Sequence, residues 1–127
     1  MAKVSISTEN APKPVANYSQ AVRKGGILQV AGQVGIDAAT GEVAAQGVTG
    51  QTRQVLANLE AVLAAAGASM ADVVMLRVYL TDTAHFAEFN ETYNALIEEP
   101  APARTTVYVG LPAGLLVEID ALAVTGS

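Results

Sequence analysis

Val73-Val74-Met75-Leu76-Arg77-Val78-Tyr79-Leu80-Thr81 is the stretch that decides how this chain is laid out. It is β-branched and nearly continuous in apolar character, which predicts a central strand buried on both faces. On its N-terminal side the period changes. Val48, Thr52, Val55, Leu56, Leu59, Val62, Leu63 and Ala66 recur at helical spacing, and Gly67 stands where a left-handed C-terminal cap is expected. On its C-terminal side Asp82 or Thr83 can cap a second helix, with an apolar stripe of Phe86, Phe89, Tyr93, Leu96 and Ile97. Pro100 and Pro102 end that helix.

Farther out the pattern returns to strands. Val15–Arg23 and Ile27–Ala31 flank Lys24-Gly25-Gly26, and Gly-Gly supplies the positive φ of a hairpin turn. Thr40-Gly41 reads as a turn within 37–42. Arg104–Val109 and Leu115–Val124 are two late strands, separated by Leu111-Pro112-Ala113-Gly114, and Lys3–Ser7 can add a short initial strand. The order β-β-α-β-α-β-β predicts an α+β fold, one sheet with both helices packed on one face. The other face is also largely apolar and calls for a partner subunit. No repeat, linker or low-complexity segment interrupts residues 1–127, which read as a single domain.

With 127 residues the chain can bury a core without cross-links, and it has no cysteine to form any. No apolar run reaches the length of a membrane span. The segment Met1–Ser7 lacks the apolar region of a signal peptide, so a cytoplasmic protein is expected. The net charge is −5, and Arg23, Arg53, Arg77 and Arg104 are scattered, which makes nucleic acid an unfavourable partner. Hydrophobic residues make up 51% of the chain and charged ones only 15%, a balance that favours an oligomer burying the excess apolar surface.

The sharpest chemical feature is a pair of charges in the last two strands. Arg104 opens Arg104-Thr105-Thr106-Val107-Tyr108-Val109, where alternation puts Arg104, Thr106 and Tyr108 on one face. Glu118 lies inside Leu115-Leu116-Val117-Glu118-Ile119-Asp120-Ala121, sharing a face with Leu116, Asp120 and Leu122. Two readings stand side by side. One is a structural salt bridge at a strand edge or subunit contact. The other uses the planar guanidinium fork to bind an organic carboxylate while Glu118 holds or deprotonates a water. Tyr18 sits at a polar strand entrance, and Asn90 borders the apolar stripe one turn from Phe86. His85, the lone histidine, reads as solvated and cannot build a zinc site without further ligands. Gly32-Gln33-Val34-Gly35 is not a dinucleotide fingerprint, and no phosphate-binding Gly-Lys-Ser/Thr loop or Gly-x-Ser-x-Gly elbow occurs.

Taken together, ordered segments of the chain resemble the RidA (reactive intermediate deaminase, YjgF-type) family over nearly its whole length. They are Thr8-Glu9-Asn10-Ala11-Pro12, Tyr18-Ser19-Gln20-Ala21, Ala31-Gly32-Gln33-Val34, Thr40-Gly41-Glu42, and Gln51-Thr52-Arg53-Gln54-Val55-Leu56-Ala57-Asn58-Leu59. They continue with Ala65-Ala66-Gly67, Val78-Tyr79-Leu80-Thr81-Asp82, Phe89-Asn90-Glu91-Thr92-Tyr93, Pro102-Ala103-Arg104-Thr105, Leu111-Pro112 and Val117-Glu118-Ile119. The resemblance implies a chorismate-mutase-like homotrimer with sheets facing inward and clefts between subunits. It also implies cofactor-free hydrolysis of small 2-imino acids and their enamines to 2-oxo acids and ammonia.

By the same resemblance Arg104 grips the substrate carboxylate and Glu118 positions the attacking water. Tyr18, Ala31, Gly32, Asn90 and Thr106 fall at substrate-binding positions. The chain departs from the family at four places. Asn17 stands where proline is frequent, and Ala31 replaces a common serine or threonine. Gly35 stands where proline is usual, and Thr106 occupies the place of a frequent cysteine. Two other functions go with the resemblance: capture of a small carboxylic acid without turnover, and an endoribonuclease or translation-inhibitor activity.

Overall fold

The structure is a computed structural model and describes residues 2–44 and 47–126. Strands β1 (Val4–Ile6), β2 (Ala21–Lys24), β3 (Ile27–Val34), β4 (Val73–Leu80), β5 (Ala103–Tyr108) and β6 (Val117–Val124) form one sheet in the order β1-β2-β3-β6-β4-β5. Only β4 and β5 run parallel; every other neighbouring pair is antiparallel. Helices α1 (Gly47–Ala65) and α2 (Phe86–Leu96) follow the strands in the expected alternation. The core lies between these helices and one face of the sheet. Leu28, Val30, Leu76, Val78, Leu80, Val117, Ile119 and Ala121 face Val55, Leu59, Val62, Leu63 and Phe89, all without measurable exposure.

Local signals place the ends of these elements. Gly25 turns the β2–β3 hairpin at φ 61°, and Gly67 ends α1 at φ 75°. The Arg23 guanidinium donates to the Ala66 carbonyl at the end of α1, where a cation complements the helix dipole. The Asp82 side chain accepts from Ala84 N–H at 2.8 Å, capping a single 3-10 turn that leads into α2.

Three sequence expectations need correction. The strand expected over Val15–Arg23 begins only at Ala21, because Tyr18 N–H is taken by the Ala16 carbonyl in a tight turn. The last strand begins at Val117 rather than Leu115, since Leu116 N–H is bound by the Gln51 side chain and Leu115 N–H by the Pro112 carbonyl. The strand at Val73–Leu80 is central but not buried on both faces in one chain. Both helices cover the same side of the sheet, and the Arg77 side chain on the other side is 53% exposed.

That uncovered face carries Ile27, Val107 and Val124, which are 57%, 41% and 51% exposed. Its partly buried members are Leu116, Glu118 and Leu122. No helix among the described residues is long and apolar enough to cross a membrane.

Gly35, just past the end of β3, packs closely against α1. A Cβ built there would lie 2.9 Å from both Cβ and Cγ of Gln51 and 3.1 Å from its Cα. Two of those neighbours are fixed by the helix backbone and cannot step aside. Gly35→Ala is therefore expected to overpack the joint and cost about 1–3 kcal/mol. Urea unfolding at fixed protein concentration measures this as a lower midpoint with an unchanged slope.

Candidate active site

Edge strand β5 carries the first cluster. Arg104 lies beside Leu76 and Thr106 beside Val78 in the parallel register, which turns both toward the helices. Helix α2 meets Arg104 with one polar and three aromatic groups. Its Nη2 donates to Asn90 Oδ1 at 2.7 Å. The guanidinium carbon lies 4.7 Å from the Tyr93 ring centroid, 5.4 Å from Phe89 and 5.9 Å from Phe86. Each such contact contributes about 0.5–1 kcal/mol where solvent reaches it.

Among the described residues no carboxylate pairs with Arg104. The side chain is thus held in direction while its charge stays free of any carboxylate among the described residues. Tyr93 is 4% exposed and its hydroxyl is buried without a partner. Burial raises the phenol above its ordinary pKa, and the Arg104 charge opposes that rise in part.

The second cluster lies where β3 meets β6. Their register shifts between Val30 and Gln33, so Ala31 and Gly32 form a bulge opposite Asp120. The bulge brings the Gly32 backbone against the Glu118 side chain. A Cβ on Gly32 would sit 2.9 Å from the Glu118 carboxyl carbon, a space only glycine leaves open. Tyr18, Ala31, Gly32 and Glu118 line a cavity of about 580 Å³ together with Lys13 and Leu115. Burial first, and the charge of Asp120 second, raise Glu118 above the ordinary carboxylate pKa.

Buried amides hold the walls of this cavity. Gln20 accepts from Thr8 N–H at 2.7 Å and donates to the carbonyls of Thr8, Ala11 and Pro12. Gln51 donates to the Gly114 carbonyl and accepts from Leu116 N–H, both at 2.8 Å. Asn58 donates to the carbonyls of Val34 and Ile36 at 3.0 Å each. Each amide satisfies backbone groups in loops or at a strand end.

The two clusters lie on opposite faces of the sheet. Arg104, Asn90 and Thr106 are on the helix side of β5. Glu118 points from β6 to the uncovered side, since Val117 and Ile119 on either side of it are core residues. Within one chain, therefore, Arg104 and Glu118 do not form a salt bridge. The ion pair on this sheet is instead Arg77 Nε to Asp120 Oδ1 at 2.8 Å, and Tyr79 Oη donates to Asp120 Oδ2 at 2.9 Å. Alternation in the sequence puts Asp120 on the Glu118 face, but Arg77, Tyr79 and Lys13, taken singly, carry no such signal on their own strand or loop; facing periodicity in β4 is the signal for Arg77 and Tyr79. His85 is only partly exposed and its Nδ1 is buried without a partner, so it is not the freely solvated side chain expected. Among the described residues no group of three or more His, Cys, Asp or Glu side chains is placed to hold a metal ion.

The architecture defines a class: small α+β proteins built on a single mixed sheet with two helices on one face. Within it, residues 8–125 match the family model described as Endoribonuclease L-PSP, and the chain belongs to that family, the YjgF/RidA family. A RutC family protein of Pyrococcus horikoshii is 49% identical over 95% of this chain and 97% of its own. A mouse protein named 2-iminobutanoate/2-iminopropanoate deaminase is 40% identical over 95% of this chain and 90% of its own. The crystal structure of RidA from the Antarctic bacterium Psychrobacter sp. PAMC 21119 superposes with a TM-score of 0.92 at 42% identity, covering 96% of this chain and 99% of that one.

The contact at Gly32 yields a direct test of the second cluster. The atoms that an added methyl meets belong to the flexible end of Glu118. Gly32→Ala is expected to leave stability within about 1 kcal/mol of the parent. A crystal structure of the variant should show the Glu118 carboxyl displaced from the bulge.

Proposed function

We propose that this protein is an imine deaminase that hydrolyses small 2-imino acids, such as 2-iminopropanoate and 2-iminobutanoate, to 2-oxo acids and ammonia. The observation that carries the reading is an arginine fixed by Asn90 and three aromatic rings yet left without a carboxylate partner. Such a fork binds an incoming carboxylate through two parallel hydrogen bonds and fixes the plane of the imine attached to it. The mouse relative's name supports the same substrate class.

Reaction requires a water on the imine carbon. An enamine first takes a proton on its terminal carbon and becomes the protonated imine, whose C2 is electrophilic. Glu118, half-buried and raised in pKa, holds water against C2 and takes its proton as the C–O bond forms. The C=N π pair moves to nitrogen, and the nitrogen leaves as ammonia once protonated. Positioning and electrostatics are enough for so reactive a substrate, and no step calls for a metal or an organic cofactor.

Because Arg104 and Glu118 face opposite ways in one chain, the working cleft is formed between subunits. In a homotrimer with its uncovered sheet faces turned inward, β5 of one protomer lies at the β3–β6 cavity of the next. The exposed Ile27, Val107 and Val124 support such an assembly by giving it apolar surface to bury. An RNA-cleaving role gains nothing from the site, where the guanidinium stands among aromatic rings rather than in a basic stripe.

Arg104→Ala is expected to lower ammonia release about 100-fold or more while the fold persists, as loss of two charge-assisted hydrogen bonds implies. Arg104→Lys keeps the charge but not the fork and should recover only part of the rate. A coupled assay, with an amino-acid oxidase or threonine dehydratase supplying the imine, measures both. Unimpaired release by Arg104→Ala contradicts the assignment.

A further inference from the structure

The uncovered sheet face holds a second charged group beside Glu118 that the proposed reaction does not use. In the antiparallel β4–β6 pairing Arg77 stands opposite Asp120 and Tyr79 stands opposite Glu118. Arg77 is thus the diagonal neighbour of Glu118, within reach of so long a side chain. Its guanidinium is committed elsewhere, at 2.8 Å from Asp120 Oδ1, while Tyr79 Oη occupies Oδ2 at 2.9 Å. Asp120 is buried, and both its oxygens are engaged; Glu118 pairs with no charged group among the described residues.

We propose that Asp120 is a positioning residue: by binding Arg77 and Tyr79 it holds the Arg77 cation off Glu118, leaving the Glu118 carboxyl free to take and return a proton. This deepens the deaminase reading and rests on it. The proton has two journeys in that reaction. Glu118 as carboxylate takes it from water while oxygen bonds to C2. Glu118 as carboxylic acid then gives it to the nitrogen of the carbinolamine. The C–N bond breaks, ammonia departs with the bonding electron pair, and the C2 hydroxyl becomes a carbonyl as its proton passes to the regenerated Glu118 carboxylate and on to the ammonia. A carboxylate ion-paired with Arg77 would be too weak a base for the first step.

The groups facing Glu118 are few. Asp120 is on its own strand, Tyr79 and Arg77 come from β4, and Lys13 and Tyr18 close the cavity from the N-terminal segment. Burial and the Asp120 charge both favour the protonated acid, in keeping with the geometry. The Asp120 contact raises the pKa of Arg77 and Tyr79, so both partners keep their protons across the working range.

A larger rise of the Glu118 midpoint from Arg77→Gln in the Asp120→Asn background than in the parent separates this arrangement from a merely structural ion pair, whose charges would act additively. Asp120→Asn removes the competitor and frees Arg77 to swing to Glu118. The Glu118 titration midpoint should fall by on the order of one pH unit. Arg77→Gln leaves Asp120 charged and unpaired beside Glu118, so the midpoint should rise. The double variant restores local neutrality and should return close to the parent.

Carboxyl 13C shifts of labelled glutamate, followed by NMR through the pH range, report Glu118 directly in the whole protein. The pH profile of ammonia release is recorded alongside. Opposite shifts in the two single variants, with the larger rise in the Asp120→Asn background, support the inference. Midpoints that stay put in both, move the same way, or shift additively overturn it. If the NMR midpoints move as expected while the rate profile does not, the shielding by Asp120 stands but the proton-carrying part of the proposal is overturned, whereas the deaminase reading fails only if ammonia release itself is absent.

Discussion

Side chains along a pleated strand alternate between its two faces, and Arg104 and Glu118 fall on opposite ones. Nothing in a single chain can undo that separation, because the residues on either side of each are locked by the core. Val117 and Ile119 hold β6 in register against α1 and the neighbouring strands. Leu76, Val78 and Leu80 do the same for β4, which sets β5. Two half-sites result, one under α2 at the edge of the sheet and one in the β3–β6 bulge. The proposed union across subunits would turn an apparent conflict between fold and chemistry into a reason for assembly.

The two halves are stabilised by different means, and each suits its task. A cation cannot rest without compensation, and Arg104 obtains it from an amide oxygen and aromatic faces rather than from a carboxylate. That leaves its charge available to an anion. Glu118 is treated in the opposite way. It is partly buried against the Gly32 backbone and lies beside another carboxylate, and burial first and that charge second disfavour its charged form. Around it, Gln20, Gln51 and Asn58 fasten the adjoining loops, so the side of the cavity away from β3 and β6 also keeps its shape.

Most of the architecture was legible in the sequence because long-range order and local signals agreed. Helical periodicity located α1 and α2, Gly25 marked the β2–β3 hairpin and Gly67 the end of α1, and the order of elements along the chain followed. The errors fall at Val15–Gln20 and Leu115–Leu116. Both segments look like strand but lose their backbone partners to a tight turn and to a side-chain amide, which local propensity does not register. The candidate site was half legible. Arg104, Asn90, Thr106, Tyr18, Ala31, Gly32 and Glu118 were found singly, and pleat alternation correctly grouped Arg104 with Thr106. The pairing of Arg104 with Glu118 was not decidable from two strands read separately, because the facing of each depends on where the helices lie. Arg77 and Asp120, adjacent only through the β4–β6 register, were invisible as a pair for the same reason.

The central claim, that each site takes its arginine from one subunit and its glutamate from another, has a direct test. Arg104→Ala and Glu118→Gln chains, each inactive alone, are mixed in equal amounts, unfolded and reassembled. If random cyclic trimers form, about a quarter of the interfaces carry both native side chains, and ammonia release should recover to about a quarter of the parent level. No recovery from fully reassembled mixed oligomers would place both residues in the same chain's site and contradict the account.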